Sequence, residues 1–358
     1  MSYRIVGIDV HKKMLAVVVA EVAVEGEYQF ERRRLSTSPD QLRLLGEWLI
    51  QQQAEEVVME STAPYGKPVW AALEPHGKPD GQRREGAGPM SGTLPLAQAQ
   101  SHRGRRERQR DFPDAERLVK RLVAQELTLS LVPDAEPRLW RTLTRRKYPL
   151  TCDQVRWQNR LEAMREETHI KWSSLVSDLL GASARRMLQA LADGETNPAV
   201  LAALADPRLR ATPAPWCEAL GACTELDPVY RRLLKMMLEE LRRIEPPIEK
   251  LDQEIATRLN PGQDAVQRLA EVPGLGVDSA QQIIAEVGAT AAAFPSAKQL
   301  SSWVGACPGE EESAGVNQSH RSPQGNRPCG VSSIRQPAPR SSIREASSRS
   351  CIAVCSRA

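Results

Sequence analysis

The sequence predicts an α/β domain at the N-terminus, a helical coiled-coil region behind it, and a mainly α C-terminal domain containing a helix-hairpin-helix-like turn. Three observations predict this. Short apolar runs rich in Val and Ile surround one amphipathic stretch within the first sixty residues, the pattern of strands packed on a helix. Apolar residues then recur at helical spacing from Asp111 to about residue 260. Aromatic residues make up only 4% of the chain against 41% hydrophobic residues overall, which suits helical cores built from Leu, Ala and Val. A length of 358 residues allows two or three domains, and the boundaries read as 1–125, 126–260 and 261–327, with a tail at 328–358.

The elements follow in order. Residues 3–9 (YRIVGID) and 14–20 (MLAVVVA) are β-branched runs separated by the polar VHKK, as in a hairpin with one buried face. A third strand-like stretch covers 27–35. Pro39 and Asp40 open an amphipathic helix with Leu42, Leu45 and Leu49 at helical spacing, and VVMES at 57–61 returns as a buried strand parallel to the first. Pro64 and Pro68 flank a turn into a short helix ending near Glu74. From Pro75 to Gln109 the chain is rich in Gly, Arg, Gln and Pro and reads as a long loop or irregular insertion.

Helical sequence resumes at Asp111 with Leu118, Val119, Leu122 and Val123 on one face. Between 233 and 255, Leu233, Met237, Leu241, Ile244, Ile248, Leu251 and Ile255 form a heptad seam suited to pairing with another helix. Pro246-Pro247 should kink or split it. A third section begins at Pro261-Gly262, where VPGLG (272–276) separates two short helices, and a Ser/Gly-rich stretch covers 301–325. Beyond Arg327 periodicity disappears, leaving Ser, Arg, Pro and scattered Cys.

Net charge is +3 from 48 basic and 45 acidic residues, so any nucleic-acid surface must come from local segregation of charge. The seven cysteines show no metal-binding spacing and are odd in number, which fits a reduced, cytoplasmic setting. No run is long enough to span a bilayer and the first residues are strand-like, so neither a membrane partner nor a signal peptide is expected.

Four acids carry the chemical argument. Asp9 ends the first strand, where a carboxylate can hold a divalent cation with an open face toward substrate, although Asp at a strand end is commonly a turn residue. Glu60 ends the parallel strand, and pairing of the two strands would set the carboxylates side by side. Asp111 and Asp114, three apart at a helix start, share a face and also suit the helix dipole. Immediately before them RGRRERQR contributes Arg103, Arg105, Arg106, Arg108 and Arg110, either a solvated basic loop or an arm that binds a phosphate backbone beside the acids. Asp, Glu, Asp and Asp in this order are what a ribonuclease-H-like metal nuclease requires, two cations serving nucleophile and leaving oxygen. His11 could touch phosphate or metal, but a lone His beside lysines reads first as a surface residue.

GIDVHKK, VVMESTAPY and DFPDAERL resemble the corresponding segments of DEDD-type insertion-sequence transposases, relatives of the Piv-type invertases. The resemblance implies a RuvC-like domain binding Mg2+, or Mn2+, through Asp9, Glu60, Asp111 and Asp114. It implies a serine nucleophile in the C-terminal domain, where SSWVGACPGEEESAGVNQSHRSPQGNR aligns Ser313 with the reactive serine, and Arg321 and Arg327 stand near it to meet phosphate. It also implies strand exchange through a phosphoserine link to DNA, a guide (bridge) RNA, and oligomers for which the 233–255 seam is a contact. Gly274 and Gly276 belong to the helix-hairpin-helix-like turn, whose amides can bind phosphate without reading bases, or simply join packed helices. Two segments depart from the family pattern: 75–104 reads poorly as the expected strand and helix, and 328–358 lacks the expected final helices, as a shifted reading frame near Arg327 would produce. A junction nuclease using the tetrad and water, and a non-catalytic nucleic-acid-binding remnant, are the alternatives; an actin-like ATPase could begin GIDV, but no second phosphate-binding Gly motif supports it.

Overall fold

The computed structural model describes residues 3–22, 27–61, 65–76, 96–97, 111–127, 129–130, 132–170, 181–206, 220–307, 311–313, 316–319, 325–326 and 329. The chain divides into two compact units, Met1–Pro133 and Asp134–Ala358.

In the first unit β1 (Tyr3–Val10), β2 (Met14–Val22) and β3 (Tyr28–Ser36) form an antiparallel meander, α1 (Pro39–Gln51) crosses over, and β4 (Glu56–Ser61) returns parallel to β1. After α2 (Gly66–Leu73), two short strands, β5 (Leu96–Ala97) and β6 (Leu129–Ser130), extend the sheet on either side of α3 (Asp111–Val123) in sequence. The order is β3-β2-β1-β4-β5-β6, with β5 parallel to β4 and β6 antiparallel to β5. The long-loop reading of 75–109 is therefore corrected at Leu96–Ala97: two residues are too few to show a period, yet they pair with Met59 and Glu60.

Side-chain alternation sorts the two faces of this sheet. Val6, Ile8, Val10, Leu15, Val17, Val57 and Met59 bury themselves with Leu45, Leu49, Val69 and Leu73 of α1 and α2. Ile5, Ala20 and Val58 point the other way, onto Leu118 and Val119 of α3. Gly7 is on this second face, where an added Cβ would stand 2.3 Å from the Ala115 carbonyl oxygen. Only glycine allows the helix backbone to lie this close to β1.

In the second unit α4 (Ala135–Glu167) and α7 (Pro228–Arg258) run antiparallel: Glu136 meets Arg258, Lys147 meets Asp252, and Glu167 accepts from the Tyr230 hydroxyl. Between them in sequence lie α5 (Ala182–Ala192) and α6 (Pro198–Ala203). Leu234, Leu238 and Leu241 of α7 share a core with Leu161, Met187 and Leu188. The heptad reading needs two corrections. The buried stripe at the start of α7 is offset by one residue, with Leu233 exposed and Leu234 buried, and the helix is unbroken through Pro246 and Pro247. A seam read from spacing shows period but not which neighbouring row packing will select.

The remaining elements are α8 (Gln263–Ala270), α9 (Val277–Val287), α10 (Ala297–Val304) and a hairpin of β7 (Glu311–Ser313) and β8 (Val316–Ser319). Val266, Leu269, Ile283 and Ile284 form a core with Trp140 of α4 and with Cys329, which the sequence assigns to the tail but which is buried. Among the described residues no helix is long and apolar enough to cross a membrane.

Candidate active site

The pairing registers line up one row of residues across the sheet. Arg34 opposes Ala16, Ala16 opposes Asp9, Asp9 is level with Glu60, and Glu60 with Ala97. Directly paired residues project to the same face, and adjacent strands are about 4.8 Å apart, so Asp9 and Glu60 are immediate neighbours on the face that α3 covers. Ala16, between Arg34 and Asp9 in this row, is fully buried. The close approach at Gly7 brings the first turn of α3 to this row.

There His11 Nε2 lies 3.0 Å from Asp9 Oδ2 and 3.4 Å from Asp111 Oδ1. Arg34 Nη2 donates to Asp111 Oδ2 at 2.9 Å, and Arg117 Nη1 stands 3.1 Å from Asp114 Oδ1. The Asp9 carboxyl is pushed above the usual carboxylate range, first by burial and then by the charges of Asp114 and Asp111, with His11 acting in the opposite direction. Asp111 and Asp114 therefore converge on Asp9 and disfavour its ionisation, and a bound cation would relieve that repulsion.

The donors are all carboxylate oxygens, the chemistry of a hard divalent cation. Among the described residues no three His, Cys, Asp or Glu side chains are drawn into a ready-made cage. A cation that keeps several waters and takes one or two carboxylates beside substrate phosphates needs no such cage, so the residues present fit it.

Of the sequence-predicted residues, Asp9, Glu60, Asp111 and Asp114 are brought to one end of one face. Ser313 ends β7 opposite Val316, in the other unit. Arg103, Arg105, Arg106, Arg108, Arg110, Arg321 and Arg327 lie outside the described residues. Gly274 has φ +88, a left-handed backbone that glycine adopts without strain, and Gly276 precedes α9 with φ −80 and open space where a Cβ would stand. Two further residues stand among these acids: His11, which its sequence context reads first as a surface residue, and Arg34, which carries no motif and whose place follows only from counting the registers of two successive hairpins.

A family model described as "Transposase", of the DEDD type from IS110 elements, matches residues 6–170, and a second, described as "Transposase IS116/IS110/IS902 family", matches residues 266–329. The two segments do not overlap and together span more than half of the chain. No curated protein matches it. The first match covers all four acids and implies the ribonuclease-H-like fold that the mixed sheet displays, and the second ends at the buried Cys329. The chain belongs to the IS110-type transposases, DNA-acting enzymes of insertion sequences.

Proposed function

We propose that this transposase uses Asp9, Glu60, Asp111 and Asp114 to hold Mg2+, or Mn2+, against a DNA phosphodiester, and Ser313 as the nucleophile that joins it. The observation that carries this reading is the register pairing of Asp9 with Glu60 under the first turn of α3. When bound, the cation supplies Lewis-acid stabilisation of charge on the phosphate oxygens. Arg34 and Arg117, now paired to Asp111 and Asp114, are placed to meet phosphate oxygens. The Ser313 hydroxyl oxygen bonds to phosphorus and gives its proton to water, while the bond from phosphorus to a deoxyribose oxygen breaks and that oxygen takes up a proton. A second strand end reverses the step, completing exchange.

Arg103, Arg105, Arg106, Arg108, Arg110, Arg321 and Arg327 would grip backbone phosphates, with the Gly274–Gly276 turn as a further contact. The same reading takes a guide RNA for target choice, and an oligomer in which the tetrad of one subunit serves the serine of another. Asp9→Ala and Ser313→Ala should each abolish strand exchange on a DNA carrying the element's ends, and each should lose the protein–DNA adduct on a denaturing gel, the serine variant because it lacks the linking oxygen and the tetrad variant because the phosphate is no longer activated. Exchange retained by Ser313→Ala would overturn the covalent route and leave a junction nuclease. Binding without cutting under any metal would leave a non-catalytic remnant.

A further inference from the structure

The segment that carries Ser313 departs from and returns to a single point. α10 ends in a left-handed Gly305, φ +83, whose successor Ala306 donates back to the Ser301 carbonyl at 2.9 Å, the pattern of a Schellman cap. The chain then passes through β7 and β8 and comes back at Gly325. A Cβ on Gly325 would stand 2.2 Å from the Val304 carbonyl and 2.3 Å from the Gly305 nitrogen, so the two backbones are in direct contact. The next amide, Asn326 N–H, donates to the Trp303 carbonyl at 2.9 Å.

The Asn326 side chain fastens this return to the core. Its Nδ2 donates to Glu286 Oε2 at 2.9 Å and its Oδ1 accepts from the Cys329 amide at 3.2 Å. Glu286, on α9, is fully buried. Arg145 of α4 holds it bidentately at 2.6 and 2.8 Å, and Arg141, one turn earlier, lies 3.5 Å from Oε2 and donates to the Ala285 and Glu286 carbonyls. Burying a carboxylate so completely needs this many donors. The chemistry proposed above uses neither Glu286 nor Asn326.

We infer that Asn326, seated on the Arg145–Glu286 pair, is a positioning residue that closes the 306–324 segment and so sets where Ser313 is presented for attack. The inference rests on the reading of Ser313 as nucleophile. Fixing both ends of a segment at one helix terminus restricts the volume its middle can explore, and restriction of a reacting group is a large lever on rate.

The test uses the full-length protein. Asn326→Ala removes two hydrogen bonds, the one to Glu286 and the one from the Cys329 amide, and leaves Glu286 with its arginines, so the fold is retained. Hydrogen exchange of peptides within 306–324 should quicken at least tenfold while peptides of α9 stay unchanged, and the serine–DNA adduct should fall at least tenfold at unchanged DNA affinity. Asn326→Asp alone, which sets a second carboxylate against Glu286, should be at least as damaging. Combining Asn326→Asp with Glu286→Gln restores an N–H···O bond with donor and acceptor exchanged, and should recover both readouts. Unchanged exchange in 306–324 for Asn326→Ala, or failure of the double exchange to recover it while α9 remains protected, would overturn the inference. Because hydrogen exchange needs no chemistry, it decides the inference even if the wild-type protein forms no adduct, which would instead defeat the reading of Ser313.

Discussion

At the scale of single residues, the site depends on atoms that have no part in the reaction. Gly7 contributes nothing but the absence of a side chain, and through it the first turn of α3 reaches Asp9. Gly7→Ala would drive a methyl group to 2.3 Å from a backbone oxygen. It should cost about 1–3 kcal/mol in urea unfolding and reduce metal-dependent cleavage by more than the lost folded population accounts for. Cleavage at the wild-type rate would show that the acids do not depend on this contact. Cys223 gives an independent check on the helical core, since burial pushes its thiol up to about 11. At pH 8 roughly a thousandth of it is thiolate, so alkylation followed by mass spectrometry should label Cys152 and Cys307 before Cys223, with Cys223 reacting only in denaturant.

At the scale of elements, ion pairs join the helices of the second unit. Glu286→Ala would leave Arg141 and Arg145 without their shared carboxylate, at a cost of about 3 kcal/mol in the unfolding free energy of this unit. Lys147 of α4 is mostly buried and pairs with Asp252 of α7 and Asp278 of α9. Burial alone would lower its pKa, but the two acids together outweigh burial and raise it. The folded state therefore holds this proton more tightly than the unfolded chain does. Its stabilisation is complete below the usual lysine value of about 10.4 and is lost as pH rises through the folded value. The difference in unfolding free energy between wild type and Lys147→Met should stay constant from pH 7 to 9 and shrink above about 10.4; a difference that grows with pH would contradict the pairing.

Elements were legible where burial imposes a period. The apolar runs in YRIVGIDV and MLAVVVAEV follow from burial on both faces of the sheet, and the Leu spacing of α1 from burial on one, so a hairpin, a crossover helix and a parallel strand could be read directly. The acids Asp9 and Glu60 follow, because both end strands that must lie side by side. β5 was not legible because two residues are too few to show a period, and its place between β4 and β6 follows from pairing. Nor was the role of Arg34, which depends on accumulated register, or the buried row of α7, where Leu233 and Leu234 are equally apolar and only packing distinguishes them.

At the scale of the whole molecule, each unit contains its own buried clusters, and all four acids fall within the first. A fragment spanning 1–133 should therefore unfold cooperatively by itself, and Mg2+ should raise its Tm as a ligand of the folded form does, the added stability reaching about 2.7 kcal/mol at a hundred times Kd. Asp9→Ala should remove the shift; a shift that survives would place the cation elsewhere. The second unit offers something different through the contact of Gly325 with the end of α10. Because Gly305 and Gly325 touch, the length of chain between them is thermodynamically cheap to change. Closure entropy grows only slowly with loop length, so residues inserted or removed between these two glycines should leave the Tm of the helices that support them nearly unchanged.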